Sequence, residues 1–243
     1  MVALGFLAGL WTASRRSLRD GIPSERILDL GPWLIIGAIV GARTLYVITF
    51  WREQFADKPI SEIFMVHHGG LVYYGGLIGA SLACIFYARL KQLPLWKLAD
   101  IMAPSIALGY VFGRIGCLMN GCCYGRACSL PWAISFPPGN PLGSPTTPVH
   151  PTQIYESLLS LCLYAGLAWL FRRKKYDGQV FAAYLVSYAI LRSVVETFRG
   201  DYPDYQHFLG GWATPAQLVS IGILVAGLIL LWILSRHAPR TAR

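Results

Sequence analysis

Apolar residues occur along this chain in long blocks rather than at every second position. The blocks fall at about 1–14, 27–50, 69–90, 98–119, 153–171, 178–198 and 213–235, separated by stretches that hold most of the charge. An α-helix needs roughly 20 apolar residues to cross the bilayer core. The pattern therefore predicts an all-α fold: a polytopic membrane protein of about seven transmembrane helices with a small external loop region. The first block is too short for a full span and reads as a half-span or as a helix that starts before residue 1. It does not read as a signal peptide, because no charged segment precedes it and no A-x-A-like pattern follows. No internal repeat stands out. The longest polar stretch, 120–152, is rich in Gly, Pro and Ser, and loops of that length are usually functional. Residues 1–235 are thus expected to form one integral membrane domain, with 236–243 a basic cytoplasmic tail.

Composition sharpens this picture. Over 243 residues the chain is 55% hydrophobic, with mean hydropathy +0.48, which excludes an ordinary soluble domain. A net charge of +9 would suit nucleic acid, but the basic residues cluster in alternate loops. Arg15, Arg16 and Arg19 follow the first block, and Arg89, Lys91 and Lys97 the third. Arg172, Arg173, Lys174 and Lys175 follow the fifth, and Arg236, Arg240 and Arg243 end the chain. The intervening loops hold only Arg52 and Lys58, then Arg126, then Arg199. Positive loops stay on the cytoplasmic side. The C-terminus is therefore expected in the cytoplasm and the N-terminus outside, with membrane lipid rather than nucleic acid as partner.

Charges inside the apolar blocks carry the candidate chemistry. Arg43 lies in the second block, Arg114 near the outer end of the fourth, and Arg192 and Glu196 in the sixth. Arg192 and Glu196 are four apart, so they share a helix face and read as an internal ion pair. Arg43 reads either as a binding residue or as a packing charge satisfied by carbonyls. Arg114, Arg199, His150 and Glu156 all fall near the outer face. A guanidinium at membrane depth needs a partner or an anionic ligand, and with few acids nearby Arg114 and Arg199 point to a lipid phosphate.

Glycines and cysteines add to this. Gly69, Gly70, Gly75, Gly76 and Gly79 surround Tyr73 and Tyr74, and Gly75 and Gly79 match the G-x-x-x-G spacing that lets helices approach closely. Cys117, Cys122, Cys123 and Cys128 gather on the outer side. They admit disulfides, thiols or a metal site, although C-x4-C-C-x4-C fits no common zinc spacing. No metal and no cofactor are expected.

GRIGCLMNGCCYG at 113–125, YGGLIG at 74–79, HPTQIYE at 150–156, VETFRGDYPD at 195–204 and GARTLYV at 41–47 together resemble the bacterial prolipoprotein diacylglyceryl transferase family. The resemblance covers nearly the whole chain. It implies an enzyme of the bacterial cytoplasmic (inner) membrane that moves a diacylglyceryl group from phosphatidylglycerol to the lipobox cysteine of a preprolipoprotein signal peptide, releasing glycerol phosphate. It implies Arg114 for the phosphate, Arg199 for phosphate binding or gating, and Asn120 and Gly125 for the headgroup pocket. It places His150, Gln153, Tyr155 and Glu156 in one motif, and adds Arg43 and Glu196. The chain departs from the family pattern where Tyr74 replaces a histidine implied in catalysis, Cys117 an asparagine and Cys122 a glutamate. Tyr74, or His68 or His67 just before it, is then expected to take the catalytic role. Two other readings stay open: a phospholipid-dependent transferase with a different acceptor, and a non-catalytic lipid- or lipoprotein-binding membrane protein.

Overall fold

The computed structural model describes residues 1–56, 58–66, 69–139, 144–200 and 214–237. Among the described residues seven α-helices follow in order: α1 Val2–Ser17, α2 Ser24–Thr49, α3 Tyr73–Leu90, α4 Leu95–Asn120, α5 Thr152–Phe171, α6 Gln179–Glu196 and α7 Pro215–His237. Each falls on one of the apolar blocks. Among the described residues no strand forms; single antiparallel bridges join Gly125 to Arg199, and Val149 to both Ala127 and Ile134.

Four of the helices, α2, α4, α5 and Pro215–Arg236 of α7, are long and apolar enough to cross a membrane. The expected count of seven spans is thus found as seven helices of which four meet both demands. The other three differ for identifiable reasons. α1 has 16 residues, a rise of about 24 Å against a core of about 30 Å. α3 opens on Tyr-Tyr-Gly-Gly, and α6 carries Arg192 and Glu196. The apolar pattern also hid two short turns between α2 and α3, a π-helix at Trp51–Phe55 and a 3-10 helix at Ile60–Phe64.

The chain forms two compact units. One is Ser14–Leu98; the other joins Met1–Ala13 to Ala99–Arg243.

In the unit Ser14–Leu98, α2 and α3 meet glycine against glycine. A Cβ at Gly37 would lie 2.6 Å from Ala83 Cβ, and one at Gly79 would lie 2.8 Å from Gly41 Cα. Such contacts are possible only without side chains, so the G-x-x-x-G pattern here marks close helix packing. Tyr87, fully buried, donates its hydroxyl hydrogen to Arg26 O at 2.9 Å. Arg43, 7% exposed, donates from Nε to Ile63 O, from Nη2 to Glu62 O and from Nη1 to Gly69 O. Its guanidinium therefore ties the loop before α3 to α2. The carbonyl reading of Arg43 is the one the geometry displays.

In the other unit, α1 lies on α4. A Cβ at Gly5 would sit 2.9 Å from Phe112 Cβ, and the Thr12 and Ser105 hydroxyls are 3.0 Å apart. α6 starts on a carboxylate supplied from α4. Asp100, fully buried, accepts from Gly178 N at 2.9 Å and Phe181 N at 3.0 Å, and pairs with Lys174 Nζ at 3.1 Å. This satisfies amide groups that no residue of α6 itself can reach.

Candidate active site

α4, α5 and α6 each contribute charge to one buried chain. Tyr110 and Arg114 are one turn apart on α4 and so share a face. The Arg114 guanidinium lies 4.7 Å from the Tyr110 ring centroid, donates to the Tyr110 hydroxyl and pairs through Nε with Glu156 Oε2. Arg192 Nη1 reaches the other oxygen of Glu156 at 3.4 Å and pairs with Glu196. Thr214 Oγ1 donates to Glu196 Oε1 at 2.7 Å. Glu156 is 4% exposed and Glu196 2%. A cavity of about 20 Å³ lies against Tyr110, Glu156, Ser160, Tyr188 and Arg192, room for one water among polar partners.

The ion pair expected between Arg192 and Glu196 is present. The proximity of an arginine to Glu156 is present too, and two arginines hold it. One expectation is corrected: Arg114 is not short of acids, because the fold brings Glu156 to it from α5. Arg199, itself buried, is close enough for its charge to act on Glu156 and Arg192. Arg114 and Arg192 thus hold the two oxygens of one carboxylate, with Glu196 the second acid of the group.

The loops close over the start of α5. Gly125 N donates to His150 O at 2.9 Å, His150 N to Arg126 O at 3.0 Å, and Arg126 N to Phe198 O at 2.9 Å. Arg126 Nε also donates to Arg199 O at 3.0 Å. Three backbones therefore converge at Gly125, where a Cβ would lie 2.6 Å from His150 Cβ and 2.7 Å from Phe198 O. Only glycine fits. His150 packs against Tyr155 and Phe198, with ring centroids 6.1 and 5.5 Å away. Its Nδ1 is 3.3 Å from the Tyr155 hydroxyl, which accepts from Trp132 Nε1 at 2.8 Å.

Thr152 and Gln153, at the start of α5, hold the cysteine turn. Thr152 Oγ1 donates to Cys123 O and Gln153 Nε2 to Cys122 O, each at 2.7 Å. None of the six cysteines is in a disulfide. The Sγ atoms of Cys117, Cys122 and Cys123 lie within 4.8 Å of one another. The turn that gathers them runs through Gly121 at φ 75° and Cys123 at φ 64°; the left-handed backbone costs a non-glycine residue on the order of 1 kcal/mol. Burial and the adjacent Cys123 push the Cys122 thiol up from its ordinary value.

Asn120 is exposed at the end of α4. Tyr74 is 53% exposed in the first turn of α3, its ring against that of Tyr73 at 5.7 Å. His67, His68, residues 201–204 of the VETFRGDYPD stretch and the tail from 238 lie outside the described residues. Sequence reasoning missed Tyr110, Thr152, Arg126 and Thr214. Tyr110 was legible as the residue one turn before Arg114; Arg126 and Thr214 reach the site only through loop folding and left no local signal.

The family profile for prolipoprotein diacylglyceryl transferase matches residues 1–233. The chain belongs to the prolipoprotein diacylglyceryl transferase family. It is 39% identical over 245 residues to the phosphatidylglycerol–prolipoprotein diacylglyceryl transferase of Geobacillus kaustophilus, covering 97% of this chain and 86% of the relative. It is 38% identical over 231 residues to the protein of that name from Finegoldia magna, covering 95% and 87%. For the Nitratidesulfovibrio vulgaris protein of the same name the identity is 34% over 240 residues, covering 98% and 87%. Within this family, then, the present member surrounds a buried glutamate with arginines and sets three thiols on the adjoining turn.

Proposed function

We propose that this chain transfers the diacylglyceryl group of phosphatidylglycerol to the cysteine thiol of a prolipoprotein lipobox, in the bacterial inner membrane, with its N-terminus outside and its C-terminus cytoplasmic. The observation that carries this reading is the convergence of Arg114 and Arg192 on Glu156 of the HPTQIYE segment that opens α5, with Arg199 buried just after α6. Arg114, Arg192 and the buried Arg199 against the two carboxylates Glu156 and Glu196 leave guanidinium for a phosphodiester. Names and coverage of the relatives support the same reaction.

The chemistry assigns roles. The acceptor sulfur attacks the glyceryl CH2 of phosphatidylglycerol. The C–O bond to phosphate breaks, a thioether forms, and glycerol phosphate leaves carrying the thiol proton. Charge grows on the departing phosphate, and Arg114 and Arg199 answer it. Glu156 and Arg192 hold Arg114 in place before lipid arrives. Gln153, Asn120, Gly125, Tyr155 and Glu196 shape or brace the headgroup side, and Arg43 braces the loop before α3. Tyr74 and His68 are the groups proposed to move the thiol proton, with His150 fixed through Tyr155.

The test is transfer of labelled diacylglycerol from phosphatidylglycerol to a lipobox peptide by the purified protein, with Arg114→Ala beside it. The expected result is transfer that falls at least about 100-fold in the variant. A wild-type protein that binds phosphatidylglycerol and modifies no lipobox cysteine would overturn the reading in favour of another acceptor or a binding role.

A further inference from the structure

The thiols of Cys117, Cys122 and Cys123 have no part in the roles just assigned, yet the fold works to assemble them. Cys117 stands in the last turn of α4. Cys122 and Cys123 return to it only because Gly121 and Cys123 both take left-handed backbone. Thr152 and Gln153 then pin the carbonyls of Cys123 and Cys122. The three sulfurs end within 4.8 Å of one another. A zinc ion with sulfur ligands at about 2.3 Å in a tetrahedron holds them about 3.8 Å apart, so closing the set needs side-chain rotation of about an ångström. The sequence spacing matches no common zinc pattern because the site is made by a turn pinned from another helix.

Further observations point to a ligand. All three cysteines are partly exposed rather than sealed in the core, so an ion and a fourth ligand can reach them. Gln153 is 1% exposed, and its Oε1, on the amide that holds Cys122, has no hydrogen-bond partner among the described residues. Such an acceptor suits a donor on an incoming group, the S–H of an entering thiol or an amide N–H of its peptide.

We infer that Cys117, Cys122 and Cys123 form a three-thiolate zinc site whose open fourth position takes the acceptor cysteine of the lipobox. This inference rests on the transferase reading above for the identity of the fourth ligand. Among the described residues no fourth His, Cys, Asp or Glu joins the three sulfurs. Three protein ligands and one open position are the arrangement of catalytic rather than structural zinc. A thiol that coordinates the ion is deprotonated. The acceptor enters as a thiol, gives up its proton, and holds its electron pair on sulfur. That pair forms the S–C bond to the glyceryl CH2 as the C–O bond breaks, and the released proton ends on the glycerol phosphate. No oxidant or reductant is needed. The site thus makes the bound thiol easier to deprotonate, and the proton it gives up is the one that Tyr74 and His68 are proposed to move.

The experiment is metal analysis of the purified full chain, followed by replacement of zinc with cobalt(II). The expected result is about one zinc per chain, with a thiolate-to-cobalt charge-transfer band after exchange. Cys117→Ser, Cys122→Ser and Cys123→Ser should each lose the ion, whereas Cys84→Ser and Cys162→Ser keep it. A lipobox peptide should strengthen the band and its Cys→Ser version should not. Chelation should lower transfer at least about 100-fold, and zinc should restore it. Metal-free protein with reduced thiols and no cobalt–thiolate band overturns the site, as does a disulfide among the three in unreduced protein. Full transfer after chelation overturns the thiol-activating role. A chain that binds the ion and the peptide thiol but transfers nothing supports the site while failing the transferase reading.

Discussion

Arg114 on α4 and Glu156 on α5 form a buried ion pair, and Arg192 on α6 holds the opposite oxygen of the same carboxylate. Three helices are therefore joined through one side chain that is 4% exposed. Removing one partner of such a pair leaves a charge without compensation, which costs about 3–5 kcal/mol. Glu156→Gln should lower the melting temperature in detergent and reduce transfer together. Arg114→Ala should reduce transfer more than it reduces stability, because Arg192 still neutralises Glu156. A melt that falls equally in both variants would count against this division.

Tyr74 lies half-exposed in the first turn of α3, and its role is proposed as proton movement. Tyr74→Phe keeps the ring and removes the hydroxyl. Turnover is expected to fall about 100-fold, in the range of general acid–base effects, while phosphatidylglycerol binding stays unchanged. Steady-state kinetics with a lipobox peptide, alongside lipid binding, checks this. Unchanged kcat in Tyr74→Phe with a dead His68→Ala would pass the role to the histidine.

Asp100 caps α6 from α4 and accepts from two backbone amides and Lys174. Asp100→Ala strands those donors, so stability should fall by about 2–3 kcal/mol. Asp100→Asn keeps an acceptor and should lose less. Chemical denaturation in detergent measures both, and equal losses would mean that the capping bonds are not the reason.

Gly79 sits where α3 meets α2, with Gly41 Cα 2.8 Å from the place of a Cβ. Gly79→Leu must push the helices apart, and overpacking of this kind costs about 1–3 kcal/mol. The expected readout is a lower melting temperature. Gly166→Ala, where a Cβ meets nothing within 4 Å, is the control expected to leave the melt unchanged.

The apolar blocks by themselves determined the number and place of the helices, because helix length and burial in lipid depend on runs of neighbouring residues. The internal pairing of Arg192 with Glu196 was equally local, being one helical turn apart. The family, too, was legible in separated short motifs.

What only the tertiary structure decided lies between segments distant in the chain. Glu156 as the partner of Arg114, Asp100 as the cap of α6, and Gly125 as the meeting point of three backbones all depend on where loops return. The cysteine cluster is the clearest case. Spacing alone argued against a metal, since ligand patterns are read from one segment at a time. Two left-handed residues and two hydrogen bonds from α5 bring the sulfurs together, and neither the turn nor its anchors has a period that a linear reading can detect.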